Sequence, residues 1–220
     1  MSGLLRNRHP ANDQVWHVQA VMLVAIGLQV ALPDAFSALA RYAVPSAEIL
    51  LLLALAFTTP KEKVFKSITR RVNAILLIGI ATLGNAYALE VVTNKLLKGG
   101  HVGSGRQLIL AAINIFLTNI IVFALWYWEM DGGGPGNRQR IERYEQDFLF
   151  QQHRHEEYKH PDWKPMFTDY LYLSSTNAMT FGPADTMPLS RRAKMLMLTQ
   201  STVSLIVIAL VAARAVGILS

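Results

Sequence analysis

Five separate stretches of this chain stay apolar for about twenty residues at a time, and that pattern restricts the fold more than any motif does. They run Trp16–Phe36, Ala38–Phe57, Val72–Val92, Leu108–Trp128 and Met195–Leu219. A helix rises ~1.5 Å per residue, so each stretch can cross a hydrocarbon core roughly 30 Å thick. Only 16% of the residues are charged, well under the roughly one quarter of an average soluble domain. The predicted class is therefore an all-α, multi-pass membrane protein in a lipid bilayer. Pro33-Asp34 and Pro45 mark the turn between the first two spans. Trp126, Tyr127 and Trp128 close the fourth, as expected for rings settling at headgroup level.

The motifs of soluble chemistry are missing. Cysteine is absent, which excludes disulfides, thiolate nucleophiles and cysteine-held clusters. No phosphate-binding loop, zinc-protease motif, nucleophile elbow or shared carboxylate pair occurs, so neither catalytic residues nor a cofactor is expected. No nucleic-acid partner is expected either. His153, His155 and His160 beside Glu156 and Glu157 are of metal-ligand type, but their spacing matches no ligand pattern, and they read as a solvated segment. Arg6, Arg8 and the small residues Ala38-Leu39-Ala40 imitate a secretory leader; the expectation is an ordinary first membrane helix.

The stretch "TTPKEKVFKSITRR", 58–71, holds Lys61, Lys63, Lys66, Arg70 and Arg71 against one acid, Glu62. Short basic loops stay in the cytoplasm, which with five spans puts the amino terminus and the polar linker 129–166 inside. That linker opens with Gly132–Gly136, a predicted turn, and carries one apolar cluster, Phe148-Leu149-Phe150, expected to pack on the interface or a neighbour. Residues 167–179, "FTDYLYLSSTNAM", hold no helix breaker and are too short to span a bilayer. The prediction is a short re-entrant, pore-type helix between the fourth and fifth spans. Irregular backbone at membrane depth survives only when buried in protein or lining water.

From Leu171 to Pro188 the chain reads "LYLSSTNAMTFGPADTMP". It resembles the pore helix and selectivity filter of the potassium-channel superfamily. Without a gap, Thr180, Phe181, Gly182, Pro183, Ala184 and Asp185 fall on the six filter positions and Pro188 on the proline that follows them. Tyr172, Ser174, Ser175, Thr176 and Asn177 fall on the pore helix, and Arg191-Arg192-Ala193-Lys194 on the start of the inner helix. The resemblance implies a homotetramer passing a monovalent cation, with the filter facing outward, opposite to the basic-loop expectation. It also implies a division into a three-helix region, 1–107, and a channel-like pore unit, 108–220. Within that unit lie an outer helix 108–128, linker 129–166, pore helix 167–179, filter-like loop 180–188 and inner helix 191–219. Pro183 and Ala184 depart from the family's tyrosine and second glycine, so its ion preference is not implied. The same stretch resembles a set of uncharacterised bacterial membrane proteins, which implies the bacterial inner membrane.

Other polar residues within the spans include Gln29, Asn85, Asn114, Thr118, Asn119 and Gln200, expected to hydrogen-bond between helices. Glu48, Glu90 and Arg214 lie near span ends, where long side chains reach water. The expected function is passive cation permeation past Thr180, Phe181, Gly182 and Asp185. A non-conducting scaffold or channel-derived subunit, and a small transporter using Asn114 and Thr118, stay open as alternatives.

Overall fold

The computed structural model describes residues 20–27, 46, 49, 68–97, 105–138, 146–154, 163–182 and 185–219. Three helices dominate: α1 (Ile68–Leu97), α2 (Gly105–Met130) and α6 (Arg191–Leu219). All three are long and apolar enough to cross a membrane. Of the first predicted span only residues 20–27 are described, as helix; of the second, only residues 46 and 49. Gln29 and Glu48 lie outside the described residues.

Between α2 and α6 run a 3-10 turn (Asp131–Gly133), α3 (Pro135–Arg138), strand β1 (Phe148–Leu149), α4 (Gln151–Arg154), α5 (Phe167–Thr180) and strand β2 (Met187–Pro188). α2 ends because Gly132, Gly133 and Gly134 take φ of 58°, 78° and 96° in succession, a left-handed run that side chains resist. A Cβ on Gly134 would also sit 3.1 Å from the Glu129 carbonyl oxygen. The predicted turn is shorter than 132–136, since Pro135 opens α3; proline's fixed φ suits the first position of a helix.

α2 is the central helix. It packs against α1, α5 and α6, and 56% of its apolar window is buried, against 33% for α1 and 22% for α6. α6 therefore presents most of its surface outward. Residues 20–27 add Met22, Ala25 and Ile26 to the core formed by Leu77, Ile78 and the Ile121–Leu125 stretch.

The core continues into an aromatic cluster at the carboxyl end of α2. Tyr127 meets Phe148 edge-on at 5.2 Å, Phe150 meets Tyr170 at 5.3 Å, and Trp128 meets Phe167 at 6.2 Å. Phe148 and Phe150 thus pack inside the protein, with Leu149 between them half-buried. Tyr127 and Trp128 are 0% and 3% exposed, which corrects the expectation of an aromatic belt. Offset and edge-on contacts of this kind hold rings together better than face-to-face stacking.

Antiparallel pairing of β1 with β2 sets Phe148 opposite Pro188 and Leu149 opposite Met187. The Leu189 N–H then donates to the Asp147 carbonyl at 2.8 Å. Because Phe167 packs on Trp128 and β2 is paired beside Tyr127, the chain enters α5 and leaves for α6 at the same end of α2.

Candidate functional site

α5 begins where Asp169 reaches back: its Oδ2 accepts the Met166 N–H at 2.7 Å, meeting one of the donors that every helix start leaves open. Fourteen residues give a length of about 21 Å, half that of its neighbours. Its end is set by Phe181, whose φ of 58° turns the chain while its N–H closes on the Asn177 carbonyl at 3.1 Å.

A knot of buried polar groups holds α5 against α2 and α6. Gln200 of α6 is its hub, with 0% exposure. Its Oε1 accepts from the Tyr127 hydroxyl and, at 2.8 Å, from Asn177 Nδ2. Its Nε2 donates to Ser174 Oγ at 2.7 Å and to the Ser174 carbonyl at 2.9 Å. Ser174 Oγ donates in turn to the Ile120 carbonyl at 2.7 Å, and Asn177 Nδ2 also reaches the Met197 carbonyl at 3.1 Å. Four residues further along α6, Ser204 accepts from Asn119 at 3.0 Å. A buried polar group without a partner costs roughly 1–3 kcal/mol, so the fit of these groups fixes the register of three helices at once.

A second buried set lies at the carboxyl end of α2. Asp131, 0% exposed, accepts from the Tyr170 hydroxyl, from Asp147 N–H at 2.7 Å and from Phe148 N–H at 3.3 Å. Beside it, Arg70 donates to Glu129 Oε2 at 2.7 Å with both side chains buried, and the guanidinium lies 5.6 Å from the Trp128 ring centre. Arg70 belongs by sequence to the basic stretch 58–71. It lies within α1, and its pairing brings the start of α1 and the end of α2 together. Arg71 is exposed at the same end, as are Arg191, Arg192 and Lys194.

Of the five residues expected on a pore helix, Ser174 and Asn177 face the knot, whereas Tyr172 is 56% exposed. Ser175 and Thr176 turn their hydroxyls onto their own helix, bonding the Leu171 and Tyr172 carbonyls. Thr180 and Phe181 are exposed at the tip. The Thr180 hydroxyl lies within reach of the Thr176 carbonyl at 2.8 Å and the Gly182 carbonyl at 2.9 Å. Gly182 does not take a positive φ, and a Cβ there would meet nothing within 4 Å; the left-handed residue is Phe181. Pro183 and Ala184 lie outside the described residues. Asp185 is half-buried, with Oδ1 enclosed and unpartnered among the described residues.

Thr118 is buried where α2 packs on its neighbours, 2% exposed, and Asn114 is partly buried. His155, Glu156, Glu157 and His160 lie outside the described residues. Gln200 and Asn119 hydrogen-bond between helices, as expected. The residues that sequence reasoning missed are Tyr127, Glu129 and Asp131; the one available signal was two acids placed directly after an apolar run.

The chain matches no family model, no curated protein and no solved structure.

Proposed function

We propose that this chain is a channel-like integral membrane protein of the bacterial inner membrane, with five spans and a re-entrant α5. Copies of the chain arrange their α5 tips around a shared axis and pass monovalent cations, and four copies are what the potassium-channel resemblance implies. One observation carries this reading. The buried knot holds α5 so that its carboxyl end is exposed between α2 and α6, and among the described residues no backbone N–H closes on the carbonyls beyond Asn177. A helix end of this kind carries partial negative charge and suits a cation. The exposed run Met195, Leu198, Thr199 and Thr202 on α6 supplies a face for neighbouring copies.

Two features separate this reading from a potassium-type filter. The Gly182 carbonyl is within hydrogen-bond reach of the Thr180 hydroxyl, which opposes a free stack of carbonyl rings. Moreover Arg70, Arg71, Arg191, Arg192 and Lys194 gather at the end where α5 enters. The basic end of a membrane protein faces the cytoplasm, so α5 enters from inside, reversed relative to the family. The Thr180 to Gly182 contact also favours the second reading, a non-conducting subunit with a plugged loop.

A cation-flux assay on purified protein in liposomes decides between the two, with oligomer size measured in parallel. The expected outcome is flux that Thr180→Val reduces without altering assembly, since the hydroxyl is lost and the shape kept. Wild-type protein that assembles yet passes no cation under any applied voltage would overturn the channel reading.

A further inference from the structure

At the basic end, a cleft of about 450 Å³ opens between the Gly132–Gly133 turn and the first residues of α6. Its walls carry charges of both signs. Arg191 and Arg192 line it, are exposed, and take no partner among the described residues. Asp147 lines it too, with Oδ2 held by the Gly132 N–H at 3.1 Å and Oδ1 unpartnered among the described residues. Ser190 adds a hydroxyl whose oxygen accepts the Ala193 N–H at 3.1 Å, leaving its proton free to donate.

The position of the cleft matters as much as its charges. It sits where two membrane-length helices, α2 and α6, end side by side, which is the level of lipid headgroups. A purely anionic headgroup would satisfy the two guanidinium groups but face the Asp147 carboxylate. A trimethylated headgroup would bring a cation with no N–H to give. A headgroup with a phosphate and a primary ammonium answers both signs of charge: phosphate oxygens accept from Arg191, Arg192 and Ser190, and the ammonium donates to Asp147 Oδ1.

We propose that this cleft binds the headgroup of an aminophospholipid of the phosphatidylethanolamine type. The proposal rests on α2 and α6 crossing a bilayer and is independent of cation flux. The headgroup ties the polar linker, through Asp147, to the start of α6, through Arg191 and Arg192. Lipid occupancy thereby braces the β1–β2 pairing that returns the chain from α5.

The test is native mass spectrometry of the full chain released from nanodiscs of equimolar phosphatidylethanolamine, phosphatidylcholine and phosphatidylglycerol with matched acyl chains. One charge-assisted hydrogen bond more should favour phosphatidylethanolamine over phosphatidylcholine on the order of tenfold. Asp147→Asn should bring that ratio to about one, because an amide still accepts the Gly132 N–H but loses the charge. The Arg191→Gln/Arg192→Gln double variant should lower retention of all three lipids. Free phosphoethanolamine should displace bound lipid only at far higher concentration than the lipid itself; equal potency would mean a soluble ligand and overturn the lipid assignment. Equal retention of the three lipids by wild-type protein, or a preference for phosphatidylglycerol, overturns the site whatever the variants do. Failure of the chain to enter nanodiscs at all overturns the membrane reading and the site with it.

Discussion

Gln200 concentrates the consequences of burying polar groups. It joins α5 and α2 to α6 through both ends of one amide, so a leucine of similar size would leave the Tyr127 hydroxyl, Asn177 and Ser174 short of partners. Gln200→Leu should therefore cost about 1–3 kcal/mol, read as a lower midpoint of thermal unfolding in detergent. A cysteine at Ser174 should label faster in that background, because α5 loses its anchor. The glycines divide in the opposite way from what the filter resemblance suggests. Gly134, at φ 96° and close to the Glu129 carbonyl, should lose roughly 1–2 kcal/mol on substitution by alanine. Gly182→Ala, with open space and no positive φ, should leave the midpoint unchanged.

At the scale of elements, α1 and α2 are joined by a buried ion pair, and such pairs are costly to break singly. Glu129→Gln or Arg70→Met alone should destabilise by about 3–5 kcal/mol, while the two together should recover most of the loss, because no charge is then stranded. Unfolding midpoints of the four proteins in one detergent check this; additive losses would show that the pair itself is not what holds the helices. α5 has a pH-sensitive start. Burial raises the Asp169 carboxyl above its ordinary 3.8, with the Met166 N–H bond opposing. The folded chain therefore holds this proton more tightly than the unfolded one, and the stability this adds is full below 3.8 and lost as pH rises through the folded value. Asp169→Asn, which keeps an acceptor for Met166, should flatten that part of the stability–pH curve.

For the whole molecule, the Arg70–Glu129 pair and the β1–β2 pairing place the start of α1, the end of α2, β1 and the start of α6 at one end. Sidedness is then a single question with a single answer. A cysteine at Asn137 should react with membrane-impermeant reagent only after the cytoplasmic face is opened, and one at Arg106, near the other end of α2, should react from outside. Reversed labelling would restore the orientation implied by the potassium-channel resemblance and remove the basic-end argument. The low burial of α6 sets the assembly prediction: cross-linking of neighbouring copies should run through Met195, Leu198 or Thr202 more than through α2, whose window is 56% buried against 22% for α6.

The lengths of α2, α5 and α6 were legible in the sequence because they depend on local terms: apolar runs of membrane length, and proline and glycine as stops. The turn after α2 was legible for the same reason. The partners of Gln200, Asp131 and Arg70 were not, because a hydrogen bond across dozens of residues has no local signature; polarity says only that a partner is needed. Tyr127 shows the difference most clearly. Its sequence neighbours mark it as an interfacial ring, and only the packing of Phe148 and Gln200 around it makes it part of the core. Chain composition determined that helices of this length form, and the pairing of buried polar groups decided how they stand against one another. Apolar surfaces slide at little cost, whereas a hydroxyl or amide sealed from water accepts few positions.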